Sequence, residues 1–351
     1  MSAAVLADAR IDSGRSAGLW TLAWRRFCRD RVGVISLVIV VAYFLVTIVA
    51  ALHLIANDWA DEPGVNYAPP SFVGPDAAEE PAAGAASSAS ARSAPSANTQ
   101  IVDPLADVLA EIRRDSAAAA PLPPKAQTLP FGGDRWGRDV LKKLIKGTEI
   151  SLFVGVAAAL LATLLGTLFG ALAGYYGRAL DDFFNWFYSI FTSVPYLLLI
   201  LAIAAVLNQK GILTVVLILG LTGWPGIFRL VRGEYLKHKA REYIRAADAI
   251  GASDNRRMFV HILPNVSHVI LVQMSLHVVL FIKSEVILSF LGFGVGVDTV
   301  SWGSMLNETQ SELILGKWWQ LAAATTAMAV LVTAFSLFTD ALRDALDPRL
   351  K

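Results

Sequence analysis

The chain has 351 residues, of which 55% are hydrophobic and only 17% charged, and its mean hydropathy is +0.53. Soluble domains carry roughly a quarter charged residues, so this composition is typical of a polytopic membrane protein. The formal net charge of +1 gives no electrostatic basis for binding nucleic acid. Because Cys28 is the single cysteine, an intrachain disulfide and a cysteine-based zinc site are both excluded.

Six apolar stretches approach or reach the length of a membrane-spanning helix, which is about 20 residues. They are residues 32–56, 150–177, 183–209, 211–228, 266–294 and 318–339. The fourth is the shortest, and its Gly223, Pro225 and Gly226 predict a kink that neighbouring helices can accommodate. The sixth opens on Trp318 and Trp319, an aromatic pair typical of the membrane interface. These stretches predict an all-α polytopic membrane protein with six transmembrane helices.

The second stretch contains a stripe of glycines. Gly166, Gly170 and Gly174 recur at four-residue spacing, which places them on one face of a helix. Small residues on one face allow two helix backbones to approach closely. The stripe therefore predicts tight helix packing rather than chemistry.

Lysine and arginine in the short flanks orient the helices, because these residues are enriched on the cytoplasmic side. The first 31 residues contain Arg10, Arg15, Arg25, Arg26, Arg29 and Arg31. If the six spans cross the membrane in alternating directions, this segment lies on the same side as the basic residues 229–265 and the basic end of the chain. The loop between the fifth and sixth spans is mostly acidic and falls on the other side. Both termini, residues 1–31 and 341–351, are therefore predicted to be cytoplasmic.

The same alternation of spans predicts that residues 57–148 form a long external loop, with an insertion at residues 76–125. Residues 76–100 contain no Val, Ile, Leu or aromatic side chain, so we predict disorder there. Residues 103–112 differ, because Asp103 can cap a helix and apolar residues follow at helical spacing. This short amphipathic helix is expected either to pack on the external loop or to dock a partner.

No signature of an enzyme is present in the sequence. It lacks the Gly-x-x-x-x-Gly-Lys-Ser/Thr phosphate loop and a His-Glu-x-x-His zinc motif. Its one Gly-x-Ser-x-Gly sequence, residues 14–18, lies before the first apolar stretch and does not join a predicted strand to a helix, as the nucleophile motif requires. No pair of carboxylates at catalytic spacing is apparent. We therefore expect no catalytic residue, no cofactor and no metal ion in this chain.

The basic segment 231–265, between the fourth and fifth stretches, predicts two short helices separated by a break. Three of residues 246–249 are alanine, which favours a helix. Gly251 is a natural residue to end that helix, and Ser253 can cap the next one. The second helix is expected to stop at Pro264. A helix with such small residues leaves room for a partner surface, whereas the alternative is an ordinary basic loop.

This segment resembles the EAA loop of the permeases of binding-protein-dependent ABC importers of type I. That pattern is Glu-Ala-Ala, three residues, glycine, and a stretch ending in Leu-Pro. Ala246 and Ala247 match it in register, as do Gly251 and the pair Leu263 and Pro264. Arg245 stands where the family often has glutamate, and this Arg-Ala-Ala form resembles the peptide-type permeases. The resemblance assigns an ATPase-coupling role to Glu242, Arg245, Ala246, Ala247, Ile250, Gly251, Ala252, Leu263 and Pro264.

Four further stretches resemble the peptide and nickel branch of this family, and within it the second permease of the pair. They are residues 131–141, 288–294, 301–306 and 342–349. The resemblance runs from residue 129 to the end of the chain, and the insertion lies outside it.

The resemblance implies an N-terminal helix at residues 32–56 and a five-helix permease core at residues 149–340, in a bacterial inner membrane. It implies a second homologous permease, two ABC subunits that bind ATP and magnesium, and an extracytoplasmic solute-binding protein as partners. The chain would then form part of the pathway for peptides or similar small solutes. Closure of the ATPase subunits would be transmitted to the spans through the short helix of residues 231–265.

Four residues in the spans are candidates for the pathway or a gate: Ser193, Pro195, Lys283 and Glu285. Ionisable residues at membrane depth are costly, which favours a functional role for the last two. Structural anchoring is the alternative for both, and packing is the alternative for Ser193 and Pro195.

Three other functions are weighed against the peptide importer. A permease for nickel chelates or another non-peptide solute belongs to the same branch. An autonomous secondary transporter would need its substrate and ion sites within one chain, often in inverted repeats that are not evident here. An intramembrane enzyme would need nucleophile–base or metal-ligand spacing, which the spans lack.

Overall fold

The computed structural model describes residues 19–74, 108, 124–296 and 298–346. In this part of the chain the fold is helical, and three isolated β-bridges are its only strand-like pairing. The helices are α1 (Leu19–Phe27), α2 (Arg31–Ala51), α3 (Val140–Tyr176), α4 (Arg178–Thr192), α5 (Tyr196–Leu207), α6 (Ile212–Thr222), α7 (Trp224–Lys239), α8 (Glu242–Ala249), α9 (Leu263–Phe290), α10 (Trp302–Ile314) and α11 (Trp319–Leu346). A π-helical segment, Arg256–Ile262, leads directly into α9.

Five helical stretches among the described residues are long and apolar enough to cross a membrane. They are α2, α3, α6 with α7, the stretch Arg256–Phe290, and α11. A sixth is the pair α4 and α5, whose axes are bent by 83° relative to each other. The prediction of an all-α polytopic membrane protein is confirmed, with up to six spans.

The third apolar stretch, predicted over residues 183–209, is divided between α4 and α5 by a sharp bend. Helix α4 ends at Thr192 and α5 begins at Tyr196. Pro195 has no backbone N–H to continue the helix, and its ring disfavours helical geometry at the preceding residue. A stretch without charges therefore contains a sharp corner.

Several helix ends also differ from the predicted span limits. Helix α2 ends at Ala51 rather than at residue 56, α3 begins at Val140 rather than at residue 150, and α11 continues to Leu346. Hydropathy marks the part of a helix that lies in lipid, whereas polar caps mark where the helix starts. The Asp30 carboxylate accepts the Val32 N–H at 3.0 Å, and Asp139 accepts the Leu141 N–H at 2.8 Å.

The glycine stripe packs α3 tightly against α7, as predicted. A methyl group added at Gly170 would lie 2.8 Å from the carbonyl oxygen of Phe228 and 2.9 Å from Cβ of Val231. Gly166 and Gly174 approach α7 just as closely. The backbone of α3 therefore rests on the segment that leads from the membrane into α8.

The predicted interruption of the fourth span is present at Gly223, the residue between α6 and α7. A side chain at Gly223 would collide with the ring of Phe281 in α9. Pro225 lies in the first turn of α7. Backbone N–H groups in a first turn have no partner within the helix, so a proline there removes no helical hydrogen bond. Both helices still form one candidate span, Ile212–Lys239.

The described residues between 60 and 141 belong to a separate compact unit. Parallel bridges pair Gly64 with Ala126 and Pro70 with Leu129. The buried carboxylate of Asp134 accepts the N–H groups of Trp136 at 2.8 Å and of Arg138 at 2.9 Å, which closes a tight turn. The predicted disorder at residues 76–100 lies outside the described residues, as does the predicted helix at residues 103–112 except for Val108, which is helical and exposed.

Helix α1 corrects the view of residues 1–31 as a plain tail. Ala23 and Phe27 are buried against Ala341, Ala345 and Leu346 near the end of α11. The ring of Phe27 also meets that of Phe338 edge to face, with centroids 5.8 Å apart. The end of α11 therefore has a helical partner that hydropathy did not reveal.

Candidate coupling loop and membrane polar clusters

Helix α8 connects two long helices at one end of the bundle. Its Ile244 and Ala247 side chains are buried, whereas the rest of its surface is exposed. Ile250, directly after the helix, is 86% exposed, which is unusual for a large apolar side chain. The result is a short helix whose exposed side carries two alanines among longer polar side chains and is followed by an exposed isoleucine.

The C-terminus of α8 has the geometry that the sequence predicts. Gly251 has φ = +80°, a conformation that L side chains adopt only with strain. Its N–H donates to the carbonyl of Asp248 at 2.9 Å, and the Ala252 N–H donates to the carbonyl of Ala247 at 3.0 Å. This pair of bonds is a Schellman motif, so Gly251 ends the helix for a backbone reason.

The nine predicted coupling residues fall into three groups. Those on the outer surface of α8 and its C-terminal turn are Glu242, Arg245, Ala246, Ile250 and Gly251. Ala247 faces inward and Ala252 is half-buried. Leu263 and Pro264 lie in the first turn of α9, beyond the π-helical segment.

The predicted break at Pro264 is wrong, because the chain is helical without interruption from residue 254 to residue 290. The N–H of Leu263 reaches back five residues to the carbonyl of Met258. This wider turn accommodates Pro264, whose missing N–H and bulky ring do not fit a regular α-helix. The second helix of the loop is thus the beginning of a span, and α8 is joined to that span by only a few residues.

A charged cluster fixes α8 to its surroundings. The guanidinium of Arg257 pairs with Asp248 on α8 and, at 2.5 Å, with Asp254. The Tyr175 hydroxyl at the end of α3 donates to Asp254 at 2.8 Å. Lys239, the last residue of α7, donates to the Tyr175 carbonyl. We call Tyr175, Asp248, Asp254 and Arg257 the loop clamp, because it links α3, α8 and the start of the π-helical segment.

The two ionisable residues predicted in the fifth span lie in opposite environments. Lys283 is exposed, whereas Glu285 is fully buried in α9. The Glu285 carboxylate accepts hydrogen bonds from the hydroxyls of Ser151 at 2.8 Å and Ser289 at 2.7 Å. Ser151 in turn accepts the N–H of Trp302, the first residue of α10, at 3.2 Å. Glu285 therefore joins α3, α9 and α10 inside the chain.

A second buried polar cluster joins α3, α10 and α11. The ammonium of Lys143, with a side chain only 1% exposed, pairs with Glu308 at 2.6 Å. The side-chain amide of Gln320 donates to Glu308 at 3.0 Å and to the carbonyl of Met305 at 3.1 Å. A buried charge is tolerated when it is paired and hydrogen-bonded, as both charges are here.

The other two predicted pathway residues lie at the corner between α4 and α5. Ser193 and Pro195 are both exposed, and the Ser193 hydroxyl donates to the carbonyl of Ile190 at 2.7 Å. No group of three or more His, Cys, Asp and Glu side chains is placed to hold a metal ion in the described part of the chain.

Residues 166–351, slightly more than half of the chain, match the family described as binding-protein-dependent transport system inner membrane component. The chain belongs to this permease family. Residues 18–70 of the permease also match the N-terminal transmembrane domain of oligopeptide transport permease C. The predicted family resemblance is confirmed, and the permease is a multi-pass protein of the bacterial inner membrane and a subunit of an ABC importer.

The permease is similar to several curated proteins. It is 39% identical over 238 residues to the dipeptide transport system permease protein DppC of Bacillus subtilis, covering 68% of this chain and 74% of the relative. It is 36% identical over 221 residues to the oligopeptide transport system permease protein OppC of the same organism, covering 63% and 72%. It is 39% identical over 221 residues, with the same coverage, to the glutathione transport system permease protein GsiD of Salmonella typhimurium.

The loop clamp and the two buried clusters were missed by sequence reasoning. Asp254 and Arg257 stand three residues apart on a helix, which was a signal for their pairing. Ser151 and Glu285 are 134 residues apart, and Lys143 and Glu308 are 165 apart. No local pattern connects such pairs.

Proposed function

We propose that this permease subunit conducts peptides or chemically similar small solutes, and that α8 couples its spans to a separate ATPase subunit. The names of the relatives, which refer to dipeptide, oligopeptide and glutathione transport, support a peptide-like substrate. Nickel chelates and other non-peptide solutes are the alternative substrates.

The observation that carries the coupling role is the surface of α8. Its exposed side carries two alanines, Ala246 and Ala249, beside longer side chains, and its C-terminal turn carries the protruding Ile250 and the positive-φ Gly251. A partner surface can approach the helix backbone closely at the two alanines, because no long side chain has to be ordered or desolvated there. An apolar residue that protrudes beside small ones is a natural anchor for such a groove.

The surroundings of α8 support mechanical transmission. The loop clamp ties α8 to the end of α3, and the Tyr235 hydroxyl of α7 donates to the Met258 carbonyl at 3.1 Å. A displacement of α8 is therefore transmitted to α3, α7 and α9, because these helices are connected to it by side-chain contacts. Packed elements with discrete arrangements are what rigid-body switching requires.

The exposed corner between α4 and α5 is our candidate for the pathway surface, with Ser193 and Pro195 at its tip. Lys283 is exposed on α9 and belongs to the same proposal. Glu285 is assigned instead to holding α3, α9 and α10 together, because its side chain is buried and each of its carboxylate oxygens accepts a hydroxyl hydrogen bond within the chain.

The proposed complex contains this permease, a second homologous permease, two ATP-binding subunits and an extracytoplasmic solute-binding protein. Nucleotide and magnesium are bound by the ATP-binding subunits, and this chain contributes no catalytic residue. The binding-protein dependence stated in the family description supports this division of roles.

The test replaces Gly251 by aspartate in the assembled importer. The substitution places a Cβ at φ = +80°, which costs roughly 1 kcal/mol or more, and adds a charge to the outer surface of α8. We expect normal amounts of permease in the membrane but a sharp fall in ATPase co-purification and in ATP-dependent uptake. Ala249→Ser, on the same exposed surface, is the matched control and should have little effect.

Three results would each contradict part of the proposal. If Gly251→Asp transports like the unmodified protein, α8 is not the coupling element. If uptake by the unmodified protein continues without ATP and collapses with the ion gradient, the protein is an autonomous secondary transporter. Hydrolysis of ATP by the isolated, verified-pure chain would remove the assignment of that step to partner subunits.

A further inference from the structure

Helix α1 presents an aromatic surface beside the start of the first span. One side of α1 is fixed, because Ala23 and Phe27 are buried against α11. Its other side exposes Trp24, which is 61% accessible although it stacks on Phe27 with ring centroids 6.0 Å apart. A tryptophan left exposed on an anchored helix is typical of a residue that lies at a membrane interface.

The same region is strongly basic. Arg25, Arg29 and Arg31 are exposed, and none of them forms an ion pair with a carboxylate in the part of the chain that the structure describes. The nearest acidic residue in sequence is Asp30, whose carboxylate is engaged with the Val32 N–H at the start of α2. Three positive charges are therefore available to a ligand from outside the chain.

An apolar crevice of about 250 Å³ lies between α1, α2 and α11. Trp24, Leu37, Phe338 and Leu342 line it, and its walls are almost wholly apolar. Such walls offer a water molecule few hydrogen-bond partners. The crevice suits an acyl chain better than it suits a polar solute.

The position of the arginines indicates which part of a lipid they meet. Arg31 is the first residue of α2, the most apolar candidate span, so its neighbours lie where hydrocarbon gives way to headgroups. Arginine binds phosphate with charge-assisted, often paired, hydrogen bonds. Basic residues beside a span attract anionic lipids, by roughly a factor of five for each charge near the surface.

We propose that α1 and the turn into α2 form a binding site for an anionic phospholipid. The headgroup phosphate lies at Arg25, Arg29 and Arg31, and an acyl chain lies in the crevice beside Trp24. The site fastens α1 to the bilayer, and through Phe27 it holds the end of α11 at a fixed depth. This role is separate from coupling and from the choice of transported solute.

The test measures quenching of tryptophan fluorescence in the full-length chain in zwitterionic detergent micelles. The probes are phosphatidylglycerol and phosphatidylcholine with identical brominated acyl chains. We expect phosphatidylglycerol to quench at an at least tenfold lower mole fraction, and Trp24→Phe to remove this difference. Equal quenching by the two lipids in the unmodified chain, or a difference that survives in Trp24→Phe, would overturn the proposal.

A triple variant, Arg25→Gln with Arg29→Gln and Arg31→Gln, tests the headgroup contact. At about fivefold for each charge, it should abolish the preference for phosphatidylglycerol at low salt. The matched control removes three exposed positive charges elsewhere, with Lys125→Gln, Arg135→Gln and Lys210→Gln, and should keep the preference. If both triple variants lose it equally, net charge rather than a site at α1 explains the binding, and the proposal fails.

Discussion

A methyl group added to the glycine stripe of α3 should destabilise the permease, whereas the same methyl group on the facing helix should not. Gly170 lies against α7, and an added Cβ would be 2.8 Å from the Phe228 carbonyl oxygen and 3.0 Å from the Arg232 nitrogen. Gly233 lies on α7 itself, and an added Cβ there meets nothing within 4 Å. Gly170→Ala and Gly233→Ala are therefore chemically identical changes in opposite surroundings.

The size of the difference follows from two effects. Alanine favours a helix interior over glycine by about 1 kcal/mol, and this gain applies to both variants. Overpacking a closely packed contact costs about 1–3 kcal/mol, and this loss applies only at Gly170. We expect Gly233→Ala to be neutral or stabilising by up to about 1 kcal/mol. Gly170→Ala should be less stable than Gly233→Ala by about 1–3 kcal/mol, because the helix gain cancels in the comparison.

The assay is the temperature at which each variant, purified in the same detergent, loses its monodisperse peak in size-exclusion chromatography. The midpoint of Gly233→Ala should be equal to or higher than that of the unmodified protein. The midpoint of Gly170→Ala should be the lowest of the three. Gly166→Ala should resemble Gly170→Ala, because its contacts with α7 are equally short. Equal midpoints for Gly170→Ala and Gly233→Ala would refute the close packing of α3 on α7.

Two further predictions concern the loop clamp and the insertion. Asp248→Lys places a positive charge opposite Arg257 and should lower ATP-dependent uptake severalfold. The double variant Asp248→Lys with Arg257→Glu should recover part of this uptake. If the double variant transports no better than the less active of the two single variants, the ion pair does not support coupling. Deletion of residues 76–100 should leave assembly and transport nearly unchanged, because this stretch lacks the apolar side chains needed for a packed core. Co-purification of the partner subunits measures assembly, and its loss on deletion would show that the segment is ordered or docks a partner.

The sequence by itself determined the features that depend on local pattern. Long apolar stretches predicted the spans, since a helix in lipid must satisfy its own backbone and cover itself with apolar side chains. Glycines four residues apart predicted the close approach of α3 to another helix, although not which helix. Gly251 was placed correctly because a Schellman turn requires a positive φ, which glycine adopts without strain.

Tertiary structure decided where helices turn, where they end and which polar groups meet. Pro195 could have kinked a continuous span, but it separates two helices bent by 83°. Pro264 could have ended a helix, but a π-type turn carries the chain past it. Glu285 is indistinguishable in sequence from a pathway carboxylate, and only its hydrogen bonds to Ser151 and Ser289 place it inside the fold. Hydropathy reports how a segment partitions into lipid, whereas these outcomes depend on which distant groups share the same small volume.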